Sequence, residues 1–246
     1  MTNVKLTTQE YWESNRQAIE FKRQEAGHGI DQFIKTYIPA TVTGSAIEIG
    51  SFPGPHLATL GDLGYELNGI DFCSDNATGL PKWLQNEGFK TGDFWVADFF
   101  EFATQRQFDV VSSFGFIEHF TNYNEVIARH AALVKKGGYL VITTPNFRGS
   151  IQLFLHRNFD KDNLALHNIK SMRPDLWARQ LKELGFEIVY KGYFGGFWFW
   201  RGDEKLPFIK EKLLWLVVRI IPRLRRVIKF ESAALSAYCG VVAKKL

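Results

Sequence analysis

The sequence predicts a doubly wound α/β domain built on a mostly parallel sheet of seven strands. Three observations carry that expectation. Short apolar runs of strand length alternate with segments of helical period from residue 45 onward. The first run is followed by a glycine-containing turn and a proline suited to a helix start, and the first three runs end on or near acidic residues. A length of 246 residues fits one hydrophobic core, so residues 1–246 are expected to form a single domain. N-terminal helices over 1–40 and a basic, apolar insertion over 201–233 complete it.

Thr7-Thr8-Gln9-Glu10 has the spacing of a capping box, with Thr7 as the cap, and predicts a helix reaching about Lys22. Ile30, Phe33, Ile34 and Tyr37 share one face of a second helix, over 29–38, that Pro39 ends. Residues 45–50 are apolar except for Glu48, and Ser51-Phe52-Pro53-Gly54 then leads to Pro55 in the first turn of a helix. Strands follow at 65–71, 93–97 and 108–113, with a helix at 81–87 between the first two. Val126, Ile127, His130, Leu133 and Val134 recur at helical spacing, and Lys135-Lys136-Gly137 suits the carbonyl end of that helix. A strand at 139–143 comes next. A helix over 174–184 buries Leu176, Trp177, Leu181 and Leu184, stops at Gly185 and leads into an aromatic strand at 186–193; the last strand spans 236–243. Parallel strands need crossover connections of this length, so helices should cover both faces of the sheet.

Hydrophobic residues at 46% and charged residues at 23% place the chain among ordinary globular proteins and exclude a fibrous or disordered one. The 22 phenylalanines, clustered over 94–102 and 108–120 and joined by the aromatics of 190–200, suggest an apolar binding cavity as well as core. No N-terminal stretch has the charge, apolar run and cleavage site of a secretion signal, so a cytoplasmic location is expected. Cys73 and Cys239 have no partner at metal-ligand spacing; neither a disulfide framework nor a metal site is expected. Between Arg201 and Glu231 nine Lys or Arg face four Asp or Glu, an excess larger than the net charge of +4. The remainder is close to neutral, which disfavours a nucleic-acid surface and points to one localised basic segment.

Ligands of open parallel sheets bind at the carboxyl ends of the strands. Those ends carry Glu48-Ile49-Gly50-Ser51-Phe52-Pro53-Gly54, then Asp71, then Asp98, then Ser113-Phe114-Gly115-Phe116-Ile117-Glu118-His119. A carboxylate can accept from two vicinal hydroxyls, a glycine turn lets backbone approach a ligand, and a phenylalanine face can stack on a base. Here the chain resembles the class I S-adenosylmethionine-dependent methyltransferases. Their first motif joins an acidic residue to spaced glycines, matched by Glu48, Gly50 and Gly54, with Phe52 standing where a second glycine is common and expected to narrow the turn. The resemblance implies a Rossmann-like methyltransferase fold with an antiparallel last strand, and S-adenosyl-L-methionine as cofactor. It implies that Asp71 binds the ribose hydroxyls and Asp98 the adenine amino group, with Phe99 flanking the ring. Phe72, Ser113 and Phe114 are counted among the cofactor contacts. A nicotinamide dehydrogenase also uses a strand, a glycine turn and a ribose-binding acid, but the glycine spacing here is wrong for it and Asp98 would have no role.

Methyl transfer requires alignment in a desolvated site and, for a hydroxyl nucleophile, a general base. His119 is the candidate, because the turn after the fourth strand borders the transferred methyl in related enzymes and an imidazole titrates near neutrality. Glu118 would orient it or contact the cofactor's amino group. His167 and Asn168, in a loop-like region after the fifth strand, are candidate substrate contacts, whereas His130 on an apolar helix face reads as a core histidine. The acceptor is expected to be a small molecule, with oxygen methylation of a glycan or lipid-linked compound in first place; a quinone-type acceptor or a catalytically silent cofactor-binding module is the alternative. The insertion at 206–230 is too short in its apolar run to cross a bilayer. Two readings are open for it: packing of Leu213, Trp215 and Leu216 over the substrate cavity or in a dimer interface, or contact with an anionic membrane surface at the inner face, through Arg223, Arg225, Arg226 and Lys229 after Pro222.

Overall fold

A computed structural model describes residues 5–8, 10–12, 20–25, 27–202, 205–225 and 230–246. The described elements are α1 (Gly29–Tyr37), β1 (Ser45–Ile49), α2 (Pro55–Asp62), β2 (Glu66–Asp71), α3 (Gly79–Asn86), β3 (Thr91–Val96), β4 (Phe108–Phe114), α4 (Tyr123–Ala132) and β5 (Val134–Pro145). After these come α5 (Ser150–Phe159), α6 (Lys161–Ala165), α7 (Pro174–Glu183), β6 (Phe186–Phe194), α8 (Phe208–Arg225) and β7 (Tyr238–Lys245).

The seven strands form one sheet in the order β3-β2-β1-β4-β5-β7-β6. Neighbours from β3 to β5 pair in parallel, and β7 runs antiparallel to both β5 and β6, as the expected fold class requires. The chain winds outward from β1 in one direction and from β4 in the other, so the crevice between them is the switch point at which ligands bind in such sheets.

Strand alternation sorts the core into two layers. Ile47 and Ile49 of β1, Val111 of β4, Leu140 and Ile142 of β5 and Val241 of β7 face one cluster, which Val126, Ile127 and Trp177 of α4 and α7 close. Ala46, Val110, Val141 and Val242, their neighbours along the same strands, face the opposite cluster under Ile34, Leu57, Leu60 and Leu84 of α1, α2 and α3. A smaller third cluster joins α5 to α8 through Leu155, Phe159 and Leu214, with Phe197 from the chain between β6 and α8.

Several expectations need correction. The first helical cap is Thr8, whose Oγ1 accepts from the Tyr11 amide at 3.1 Å, whereas Thr7 Oγ1 accepts from Trp12 Nε1 at 3.0 Å. Residues 20–25 are not helical, and 13–19 lie outside the described residues, so the extension to Lys22 does not hold. α4 stops at Ala132, and Val134 to Lys136 already belong to β5, because Val134 pairs with Phe108 across the sheet. The loop expected after β5 contains α5 and α6, whose mixed polar and apolar spacing gave little periodic signal. Helix α8 runs through Pro222 rather than restarting after it. Arg226 and Lys229 lie outside the described residues.

Candidate active site

At the carboxyl end of β1 the backbone must turn sharply to enter α2. Gly50 and Gly54 take φ of +75° and +82°, a region that favours glycine. Close approach reinforces the requirement: a Cβ on Gly50 would lie 2.8 Å from the Phe116 ring, and one on Gly54 2.3 Å from a Leu80 methyl. The Gly50 amide donates to the Ile70 carbonyl at 2.8 Å, tying the turn to β2. A buried strut holds the turn from below. Ser51 Oγ donates to Asn76 Oδ1 at 2.6 Å, and Asn76 Nδ2 donates to the Trp95 carbonyl at 2.9 Å, linking β1, the turn after β2 and β3.

The turn borders a cavity of about 190 Å³. Among the expected cofactor residues, Glu48, Gly50, Phe52, Gly54, Asp71, Phe72, Asp98, Phe99 and Phe114 line it, and so does His119. Asp71 is 7% exposed; its two oxygens accept from the Phe52 amide at 3.2 Å and the Cys73 amide at 2.9 Å. Those bonds fix the carboxylate plane at the cavity wall. Phe52 turns its ring into the core, edge-on to Phe21 at a centroid distance of 5.5 Å, so the bulky residue is accommodated without leaving the cavity wall. Asp98 accepts from the Phe100 amide at 3.0 Å and forms an ion pair with Lys5. Phe99 is buried, edge-on to Phe116 at 5.8 Å.

Ser113 stands apart from this group. It is fully buried in β4, is not among the residues that line the cavity, and its hydroxyl has no hydrogen-bond partner among the described residues.

The turn after β4 carries Glu118 and His119 in a short 3-10 helix over Ile117–His119. His119 Nδ1 lies 3.0 Å from the Leu166 carbonyl, which can only accept, so Nδ1 carries the proton of the neutral ring. Its ring is edge-on to Trp12 at 5.1 Å and tilted against His167 at 4.7 Å. His167 stands behind His119 and outside the cavity wall, its Nδ1 at 2.7 Å from the Asn163 carbonyl; burial pushes its pKa down to about 4. Asn168 holds the loop: its amide nitrogen donates to the Phe120 carbonyl at 2.9 Å and its backbone N–H to the Glu118 carbonyl at 2.7 Å. Glu118 is wholly buried, with no hydrogen bond to its carboxyl oxygens among the described residues, and burial raises its pKa to about 8. Burial therefore favours the neutral form of the group. His130 is a core residue, its Nδ1 2.7 Å from the Val126 carbonyl and its pKa pushed down to about 4 by burial.

The sequence reading missed Lys5, Thr7 and Trp12 as cavity residues. They come from the N-terminal segment, which bridges Lys5 to Phe120 and donates the Leu6 amide to the His119 carbonyl at 2.9 Å. His56 was missed as well; it lines the cavity from the first turn of α2, with Nδ1 2.8 Å from Asp31 Oδ1. No local pattern marks these residues, because each reaches the site by packing across the sheet's carboxyl edge.

Three kinds of comparison bear on the site. A family model described as a methyltransferase domain matches residues 11–191. A ubiquinone biosynthesis O-methyltransferase of Aromatoleum aromaticum is 28% identical over 150 residues, covering 58% of this chain and 64% of the relative, so the chain spans under two thirds of that protein's length. A SAM-dependent methyltransferase from Archaeoglobus fulgidus superposes with a TM-score of 0.57 at 20% identity, over 88% of this chain and 93% of that one. The magnesium protoporphyrin IX methyltransferase of Synechocystis, solved with bound SAH, gives a TM-score of 0.51 at 12% identity, over 88% and 80% of the two chains.

Proposed function

Because this chain belongs to the class I S-adenosylmethionine-dependent methyltransferase family, we propose that it methylates an oxygen of a small, largely apolar acceptor, with His119 as the general base. The observation that carries this reading is the placement of His119: it borders the same cavity as Asp71 and Asp98, with its tautomer set by the Leu166 carbonyl. The residues present suit the cofactor. Glu48 and Asp71 offer carboxylate acceptors to its polar groups, Asp98 and Phe99 an acceptor and an apolar ring at the third strand end, and the glycine turn lets backbone come close. When bound, the cofactor supplies a methyl group already activated by its sulfonium.

This chain's residues then have three tasks. Asp71 and the turn fix one reactant, the aromatic walls formed by Phe114, Phe116 and Phe120 exclude water, and His119 Nε2 takes the proton from the acceptor hydroxyl as oxygen attacks. The proton stays on the imidazole, whose Nδ1–H remains bonded to the Leu166 carbonyl. Glu118, buried with its neutral form favoured, supports the turn. His167, and Asn168 through the Phe120 carbonyl, act by positioning the His119 turn.

Within the acceptor class, a quinone-type or other aromatic hydroxyl fits best. The aromatic lining supports it, and so does the likeness to an O-methyltransferase of ubiquinone biosynthesis. The glycan acceptor expected from the sequence has no support in the lining. The test is His119→Ala, assayed with S-adenosylmethionine against a panel of catechol, hydroxyquinol and sugar acceptors. Turnover on the preferred phenolic acceptor should fall at least about tenfold while cofactor affinity, measured by calorimetry, stays within about twofold. Equal turnover of both proteins from pH 6 to pH 9 would remove the base assignment, and turnover on sugars alone would remove the acceptor class.

A further inference from the structure

Helix α8 is apolar on two sides. One side, with Leu214, Val217, Val218 and Ile221, packs on α5 and the chain around Phe197. The other side is bare. Ile209, Leu213, Leu216, Ile220 and Leu224 follow one another at steps of four, three, four and four residues, a single helical stripe, and each is between 42% and 80% exposed. Trp215 flanks the stripe at 57% exposed. This overturns the expectation that Leu213, Trp215 and Leu216 pack over the substrate cavity, since all three face outward in the folded chain.

Cations border the stripe. Lys212, Arg219 and Arg223 are exposed and form no salt bridge among the described residues, and Arg219 lies over the Trp215 ring at 4.5 Å. Glu211, the acidic residue of the helix, is held by Arg201 at 2.6 Å. At 18 residues α8 is about 27 Å long, and no described helix is long and apolar enough to cross a membrane. A bare apolar stripe edged by unpaired cations and an amphipathic Trp has the chemistry of a helix lying in the headgroup layer of an anionic bilayer. A second copy of this chain fits less well, because it would bring the same uncompensated cations face to face.

We propose that α8 docks the protein on an anionic lipid surface, with Ile209, Leu213, Leu216, Ile220 and Leu224 immersed and Lys212, Arg219 and Arg223 at the phosphates. α5, to which α8 is anchored, begins five residues after β5 ends at the carboxyl edge of the sheet. The proposal stands independently of which acceptor is methylated.

Co-sedimentation with phosphatidylglycerol-containing vesicles, against phosphatidylcholine alone, tests it on the full chain. Wild type should pellet with the anionic vesicles and bind the neutral ones far less. L216E/I220E and K212Q/R219Q/R223Q should each lower partitioning at least about tenfold, and salt at about 0.5 M should weaken the wild type further. The altered side chains are solvent-exposed, so calorimetric affinity for S-adenosylmethionine should match wild type in both variants and separates lost docking from lost folding. Wild type left in the supernatant at low salt overturns the proposal. So does unchanged partitioning of both variants, or a concentration-dependent dimer in sedimentation equilibrium that L216E/I220E abolishes. A wild type that pellets but binds no cofactor would sink the functional reading and leave the docking surface standing.

Discussion

Asp71 shows how one side chain serves fold and ligand together. Its carboxylate accepts two backbone amides, from the glycine turn and from the residue that opens the next loop, before any ligand arrives. Charge-assisted hydrogen bonds contribute about 1.5 to 3 kcal/mol each. Asp71→Ala should therefore weaken S-adenosylmethionine binding by about 2 to 4 kcal/mol, roughly 30- to 1,000-fold, and a calorimetric titration would read the loss directly. Asp71→Asn should fall between, since it keeps one carbonyl acceptor. An affinity unchanged in both would place the ribose elsewhere. Gly54→Ala belongs to the same scale: the left-handed backbone and the approach of Leu80 together should cost about 1 to 3 kcal/mol of stability by denaturant melt. Glu48, Asp71 and Asp98 were legible in the sequence because the apolar runs put an acid at or near each of the first three strand ends, and the family resemblance suggested their roles. Lys5, Trp12 and His56 were not, because what brings them to the cavity is packing between distant segments.

At the scale of elements, α7 is the clamp on one face of the sheet. Trp177 is fully buried among Phe186, Val241 and their neighbours, and its Nε1 donates to the Ser171 carbonyl at 2.7 Å. Trp177→Ala should destabilise by about 3 to 5 kcal/mol, lowering Tm by about 2 to 4 °C for each kcal/mol in a chain of this size. Trp177→Phe, which keeps ring contact but leaves Ser171 without its donor, should cost about 1 to 3 kcal/mol. The clamp was readable from the spacing of Leu176, Trp177 and Leu181, although Leu184, expected on the same buried face, is 42% exposed at the end of the helix. α5 and α6 were not. α5 carries Gln152, His156 and Asn158 between its apolar positions, and the helix is held by tertiary partners such as the buried His156–Asp160 pair at 2.7 Å. α8 presents a related problem: its apolar content was plain, but a helix with two apolar sides does not reveal which of them meets the protein.

For the whole molecule, three buried titratable groups set opposing trends in stability with pH. His130 and His167 have folded pKa values near 4, below the ordinary 6.5, because burial disfavours the cation. The unfolded chain binds their protons first, so their contribution is present above pH 6.5 and is lost as pH falls toward 4. Glu118 has the opposite sign. Its folded pKa of about 8 lies above the ordinary 4.5, so its contribution is complete below pH 4.5 and is lost as pH rises through 8. Between pH 4 and 6.5 two histidines outweigh one carboxyl, and above 6.5 only the carboxyl titrates, which places the stability maximum near pH 6.5. Denaturant unfolding across pH 4 to 9 should show that maximum, and Glu118→Gln should flatten the alkaline limb. A limb unchanged by that substitution would assign the alkaline loss to other groups.

The sequence by itself determined the sheet, the order of its strands along the chain, the doubly wound class and the acidic strand ends. Those features are written in local period and in single residues at turns, where each stretch of chain has one way to bury its apolar face. Tertiary structure decided the rest: that the N-terminal segment forms part of the cavity wall, that His119 faces the cavity while His167 stands behind it, that Ser113 is core, and that α8 leaves an apolar stripe in solvent. Each of these depends on contacts between residues far apart in the chain, and hydrophobic burial, being non-directional, specifies that a residue is covered without specifying by what.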